Sequence, residues 1–356
     1  MSVKSELIRI LEENRGHAVS GEALAKALGV SRAAVWKAAA ALKEEGHSII
    51  SEKKRGYTLT EDSDCMTKEG IRLYLDTAFS DCYVEVLDVI DSTNNYAKRL
   101  VADGFFEKKG VKRALIAANE QTAGRGRLGR SFFSPADTGI YMTLILKAGG
   151  KMADFLPVTV AAAVAVTRAI EQFTDETPGI KWVNDIWIGD RKVCGILSEG
   201  ISDFENGTLE AVIVGIGINV DTKASVFPEE VRKVAASLDT VHASRNQIVA
   251  AVASELFQLF GELGKPELMD EYRRKSLILG REIYWDDVLG RHTGLAAAIN
   301  DAGNLEVETG EGRIVLSSGE VSIRPLSMLQ KPENGKREDP IAGEKYDGAE
   351  SKENET

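Results

Sequence analysis

Gly124-Arg125-Gly126-Arg127-Leu128-Gly129-Arg130-Ser131 sets three glycines and three arginines within eight residues. Glycine lets a backbone approach a ligand closely, and arginine is a fixed, fork-shaped cation. The stretch therefore asks for an anion, most simply a phosphate. It satisfies GxGxxG literally and misses GxxxxGK[ST] only through Arg130. Both motifs need a strand before them and a helix after. Arg113–Ala118 fits the strand, but the sequel is Ser131-Phe132-Phe133-Ser134-Pro135 and then the apolar run Gly139–Leu146. Pro135 and that β-rich run predict loop and then strand. The stretch is a phosphate loop of another kind.

Upstream of the loop, Val84–Ile90 alternates like a half-buried strand, and Asp91-Ser92-Thr93-Asn94-Asn95 follows before a helix opens near Tyr96. Small polar side chains at such a junction can cap the helix. They can also line a pocket with hydroxyl and amide groups for a neutral polar ligand. Both readings stand. Gln121 leads from strand into the arginine loop and is placed to enter the same pocket.

Downstream, Phe155–Phe173 is an Ala/Val-rich helix suited to backing a sheet. Ile180–Ile188 predicts one strand interrupted by Asn184-Asp185. Lys181 and Asp185 inside that apolar run need a partner or a function. Gly189-Asp190-Arg191 predicts a hairpin turn, and Lys192–Glu199 returns as a strand with Gly195 in its middle. Ala211–Val220 pairs naturally with it. Gly215 and Gly217 are two apart and share a face, so with Gly195 they predict a smooth floor for a flat ligand. Crowding by a packed helix would equally require those glycines.

The first sixty residues form a separate pattern. Leu7, Ile8, Ile10 and Leu11 make a helical stripe, a second helix follows Ser20, and Gly29-Val30 turns into a third helix capped by Ser31. Residues 21–40 thus predict a helix-turn-helix, with Val35, Ala39 and Leu42 facing the core and Ser31, Arg32 and Lys37 facing outward. Residues 49–59 predict a hairpin, the wing of a winged helix, whose turn carries Lys53, Lys54 and Arg55. Ten lysines and arginines against seven glutamates give residues 1–60 a positive balance inside a chain of net charge -11. That sign reversal suits phosphate contact, so these six outward residues are the DNA-binding candidates. Use of the module for protein contact alone is the competing reading.

The whole chain has 356 residues, enough for two or three domains, and its acidity argues against a protein coated by nucleic acid. Three cysteines without CxxC spacing suit a reducing compartment, and the cytoplasm is the expected location. No segment is long and apolar enough for a membrane span or shaped as a signal peptide. Boundaries are expected at 1–62, 63–276 and 277–328, with 329–356 a disordered charged tail.

The helix-turn-helix, Asp91–Asn94, Gln121 with Ala123–Arg127, Lys181–Asp185, Arg191–Leu197 and Gly215–Asn219 together resemble the bifunctional biotin protein ligases, or biotin operon repressors. The motifs fall in that family's order over roughly residues 3–326. Val183 stands where the family usually has proline, and Ser131-Phe132 where a Lys-Trp or similar pair often follows the loop.

The resemblance implies an α+β fold in three parts. These are a winged helix-turn-helix, a central class II synthetase-like biotin/lipoate ligase domain with a mixed sheet, and an SH3-like barrel made of short strands between Arg281 and Arg324. It implies ATP-dependent formation of biotinyl-5′-AMP with Mg²⁺, then biotin transfer to a lysine of an apo biotin carboxyl carrier protein. It also implies operator binding by a homodimer with the adenylate as corepressor. Biotin and adenylate contacts would fall to Ser92, Thr93, Asn94, Gln121, Gly124, Arg125, Gly126, Arg127, Arg130, Phe132, Lys192, Gly195, Gly215, Gly217 and Asn219. The chemistry would fall to Arg125, Arg127, Lys192, Lys181 and Asp185, with no protein metal ligands. A lipoate or octanoate ligase, and a ligand-sensing transcription factor without turnover, are the competing functions.

Overall fold

The computed structural model describes residues 2–149, 157–203, 208–239, 241–287, 290–317 and 324–325. It opens with α1 (Val3–Glu13), α2 (Gly21–Leu28) and α3 (Arg32–Glu44), each capped by a serine: Ser2, Ser20 and Ser31 accept from Ser5 N, Ala23 N and Ala34 N. Gly29 ends α2 at φ +64°, the left-handed conformation that lets the chain turn into α3 without a Cβ penalty. Val35, Ala39 and Leu42 pack on Leu7, Leu11 and Leu24 as their spacing predicts. The hairpin β1 (Ile49–Glu52) and β2 (Gly56–Leu59) closes this core in the register Ile49↔Leu59.

A buried polar network joins this module to the centre of the chain. Glu12, 3% exposed, pairs with Arg15 at 2.6 Å and accepts from the Asn246 amide at 3.2 Å. Arg245, also 3% exposed, donates to the Asp64 carboxylate and carbonyl and to the Gly139 carbonyl. Charges this deep persist only when paired and hydrogen-bonded: Arg15 comes from the end of α1 itself, while Asn246, Asp64 and Gly139 are partners from distant segments.

The central unit runs through α4 (Lys68–Tyr74), β3 (Tyr83–Ile90), α5 (Thr93–Ala102), α6 (Phe105–Lys109), β4 (Arg113–Gln121) and β5 (Gly139–Lys147). It continues with α7 (Val158–Phe173), β6 (Gly179–Lys181), β7 (Asp185–Ile188), β8 (Arg191–Asp203), β9 (Thr208–Asn219), α8 (Glu229–Arg232), α9 (Arg245–Phe260) and α10 (Pro266–Arg274). Its strands form one mixed sheet in the order β3-β4-β5-β9-β8-β7-β6, parallel only between β3 and β4. The period-2 rule splits β4 cleanly: Leu115 and Ala117 face the core that contains α7 and α9, while Ala114 and Ile116 face α5 and α6. Residues 180–188 differ from expectation. They are two strands, β6 and β7, folded as a hairpin about residues 182–184 that sets Lys181 opposite Asp185.

The last five strands, β10 (Glu282–Asp287), β11 (Gly290–Ile299), β12 (Leu305–Thr309), β13 (Gly312–Leu316) and β14 (Arg324–Pro325), form an antiparallel sheet in the order β13-β12-β11-β10-β14. Ile283, Trp285, Ile299 and Leu305 share the central core, and the Trp182 indole donates to the Gly303 carbonyl at 2.8 Å. The expected strand at 320–324 falls largely, and the expected tail at 329–356 wholly, outside the described residues. Among the described residues, no helix is long and apolar enough to cross a membrane.

Candidate ligand pocket and its arginine loop

The junction between β3 and α5 does both jobs that its composition allowed. Ser92 caps α5 through Asn95 N at 3.5 Å, and the Arg99 fork takes the Asp91 carboxylate at 2.8 and 2.9 Å. That bond holds Asp91 well below the usual carboxylate range. Thr93 and Asn94 are buried, and neither side chain is the cap. Gln121 Oε1 accepts from Thr93 N at 2.9 Å and from its hydroxyl at 3.1 Å, while Gln121 Nε2 donates to Ser134 Oγ at 2.9 Å. Thr143 Oγ1 donates to Asn94 Oδ1 at 2.7 Å, and Asn94 Nδ2 reaches Glu199 at 2.9 Å. Glu199 is held in turn by Lys98 at 2.6 Å. A chain of mutually satisfied side chains is a preorganised one.

The arginine loop folds back on itself. Gly126 N donates to the Arg130 carbonyl at 2.7 Å and Phe132 N to the Gly124 carbonyl at 2.9 Å. Its two leading arginines are anchored across the pocket by asparagines. Arg125 Nη1 donates to Asn95 Oδ1 at 2.8 Å, and Arg127 Nη1 to Asn184 Oδ1 at 2.9 Å. Burial lowers the Arg127 pKa, against the pull of Asp185, yet a guanidinium starting from 12.5 keeps its charge at neutral pH. Opposite, Lys192 pairs with Asp185 at 2.7 Å, and the Lys181 ammonium lies over the Trp187 ring at 4.2 Å.

These groups surround a cavity of about 570 Å³. Ser92, Thr93, Asn94, Gln121, Arg125, Gly126, Arg127, Arg130, Phe132, Lys181, Asp185, Lys192, Gly195, Gly215 and Gly217 all line it. Two sequence candidates do not. Gly124 lies behind the loop, where a Cβ would stand 2.3 Å from the Phe132 carbonyl oxygen, so its role is tight packing. Asn219 turns away and ties the sheet to residues 236–238, donating to the Ala236 carbonyl at 3.0 Å. The glycine floor is also not bare. A Cβ at Gly217 would stand 2.5 Å from the Phe132 ring, and one at Gly215 would stand 2.1 Å from Asn94 Oδ1. Crowding accounts for both glycines: the Asn94 amide of α5 lies against Gly215, and the Phe132 ring of the loop lies against Gly217.

Several lining or supporting residues escaped the sequence reading. Asn95, Asn184, Ser134, Thr143 and Glu199 act through other side chains, and partners that lie 13 to 105 positions away leave no local signal. Asn184 was the most legible of them, being polar beside Asp185 in an apolar run.

Arg32, Lys37, Lys53, Lys54 and Arg55 are exposed, while the Ser31 hydroxyl accepts from Ala34 N at 3.2 Å as the cap of α3.

Comparison with known proteins agrees with this architecture segment by segment. The Biotin/lipoate A/B protein ligase family matches residues 86–219, an HTH domain matches 3–58 and the Biotin protein ligase C terminal domain matches 286–324. Bifunctional ligase/repressor BirA of Bacillus spizizenii is 32% identical over 90% of this chain and 99% of its own length. The chain belongs to the bifunctional ligase/repressor family. BirA of Escherichia coli is a further relative, 28% identical over 91% of this chain and 98% of its own. Among solved structures, the biotin protein ligase from Aquifex aeolicus in complex with biotin and ATP superposes with a TM-score of 0.55. It is 27% identical and spans 68% of this chain and 99% of its own. In this member of the bifunctional ligase/repressor family, the helix-turn-helix match precedes the ligase match in one chain.

Proposed function

We propose that this bifunctional ligase/repressor condenses biotin with ATP to biotinyl-5′-AMP and transfers the biotin to a lysine of a biotin carboxyl carrier protein. The observation that carries the reading is that Arg125, Arg127 and Lys192 line one cavity together with the Ser92-Thr93-Asn94-Gln121 cluster. The neutral ureido group of biotin offers N–H and C=O to that cluster, and the cations face the phosphate end.

In the first step a biotin carboxylate oxygen bonds to the α-phosphorus of ATP, and the bond to pyrophosphate breaks. Two anions meet, so the need is for fixed cations rather than a side-chain nucleophile. Arg125 and Arg127, held by asparagines, are aimed before the substrate arrives. In the second step the lysine amine of the acceptor attacks the acyl carbon and AMP leaves. Asp185 orients that amine or takes its proton once Lys192 has turned to the phosphate; Lys181 supports the same wall. Mg²⁺ would enter with the nucleotide, held chiefly by its phosphates.

The same reading extends to the other two domains. Residues 1–62 serve as a winged helix-turn-helix, residues 63–276 as the ligase domain and residues 277–328 as an SH3-like barrel. With the adenylate as corepressor, a homodimer would set two helix-turn-helix units on a two-fold operator. Linkage then requires DNA to strengthen the dimer by the same factor that dimerisation strengthens DNA binding.

The deciding experiment is transfer of labelled biotin to a biotin carboxyl carrier domain, with and without ATP. ATP-dependent labelling is expected. Labelling with lipoate instead would favour a lipoate or octanoate ligase, and no labelling with either would leave a ligand-sensing transcription factor.

A further inference from the structure

Trp36 is the one exposed aromatic side chain among the described residues, 65% exposed on the outer face of α3. Its helix buries Val35, Ala38, Ala39 and Leu42, so the hydrophobic demand of the module is met without it. A large indole left in water beside a complete core is free to serve as a contact, since its ring supplies rigid apolar area and one donor. The neighbourhood says for what. Three and four positions away lie Ala33 and Ala40, too small to hold a partner off, while Arg32, Lys37 and Lys43 flank the ring along the same helix. Lys43 donates to Ser51 Oγ at 3.0 Å, which ties α3 to the hairpin whose exposed turn carries Lys53, Lys54 and Arg55. An apolar plate ringed by cations on two elements is complementary to a groove: phosphates on the rims and base edges at the floor.

We propose that Trp36 is a sequence-reading residue of this module, packing its indole against a thymine methyl group in the major groove of the operator. Indole nitrogen supplies a single donor and the rest of the ring is apolar, so of the groups displayed in that groove the C5-methyl of thymine is its match. The proposal rests on the DNA-binding reading given above. It adds which side chain discriminates and which base feature it discriminates by. Arg32, Lys37 and the hairpin turn then supply phosphate contacts, which fix register without reading sequence.

The test begins with selection of duplexes from a random pool by the full-length protein in the presence of biotin and ATP, followed by Trp36→Ala and Trp36→Phe. Because Trp36 is exposed and far from the cavity, biotin transfer by both variants should equal wild type, which certifies the fold. Trp36→Ala should lose about tenfold or more of its affinity for the selected site, the scale of one lost base contact, with an unchanged salt slope. Replacing thymine by uracil at the contacted position removes only the methyl. That change should cost wild type about fourfold, the scale of one buried methyl, and Trp36→Ala nothing.

Trp36→Phe should fall between the two. Selection of the same site with undiminished affinity by Trp36→Ala would overturn the proposal. So would a loss of affinity that tracks loss of the dimer in sedimentation, which would make Trp36 a contact between copies. If wild-type protein selects no duplex at any salt concentration, the DNA-binding reading fails first and this one with it.

Discussion

The Asn184 side chain bridges the arginine loop to the sheet: its oxygen accepts from Arg127 Nη1 at 2.9 Å and its nitrogen donates to the Ile196 carbonyl at 2.8 Å. Loop and strand thus share one amide. Arg127→Gly removes the cation and Asn184→Ala removes only its tether, so the two variants separate charge from aim. We predict that Arg127→Gly releases biotinyl-adenylate to solvent, and that Asn184→Ala raises the release rate about tenfold, the scale of one lost charge-assisted hydrogen bond. Release of labelled adenylate from the isolated protein measures both. Wild-type retention by Asn184→Ala would show that Arg127 holds its position without the bridge.

Lys192 is the cation nearest the pairing carboxylate of Asp185. We predict that Lys192→Ala slows adenylate formation by about a hundredfold, the effect of removing one charge stabiliser from a closed site. Pyrophosphate exchange reports this step alone. An exchange rate close to wild type would assign Lys192 to Asp185 and away from the phosphates.

The close approach of Phe132 to Gly217 leaves no room for a methyl group. Gly217→Ala should destabilise the protein by about 1–3 kcal/mol, the range for an overpacked interior, and weaken biotin binding. Phe132→Ala in the same chain should restore stability, since it removes the clashing ring. Thermal unfolding of the single and double variants checks both, and additive losses would place the clash elsewhere.

His47 is buried in the N-terminal module, and burial pushes its pKa below the ordinary imidazole value of 6.5, with Glu45 and Glu12 opposing the shift. The unfolded chain therefore binds the proton more readily than the folded one. By linkage, stability is full above the unfolded value and declines as pH falls through it. Unfolding midpoints of His47→Gln should be less sensitive to pH between 7 and about 5 than those of wild type. Parallel curves for the two proteins would contradict this.

Much of the architecture was legible because it rests on local chemistry. An apolar stripe placed α1, Ser20 and Ser31 as caps placed α2 and α3, and Gly29 placed the turn between α2 and α3. An alternating run placed β3, and apolar runs placed β4, β5 and β9. The hairpin at 179–188 was not legible, since Gly179–Lys181 and Asp185–Ile188 are both apolar enough for one continuous strand, and only pairing across the turn separates them.

The residue types of the pocket, its cations and its small polar wall, were determined by the sequence alone, because charge, size and hydrogen-bonding capacity travel with the residue. Which of them meet was decided only by the tertiary structure. Asn219 carries a polar side chain two places after Gly217, yet it serves the segment around Ala236, while Asn184 in the turn between β6 and β7 holds Arg127 and Glu199 on β8 holds Asn94. Spacing along one strand gives its face. Contacts between strands depend on register, and register is set by how the whole sheet buries its apolar sides.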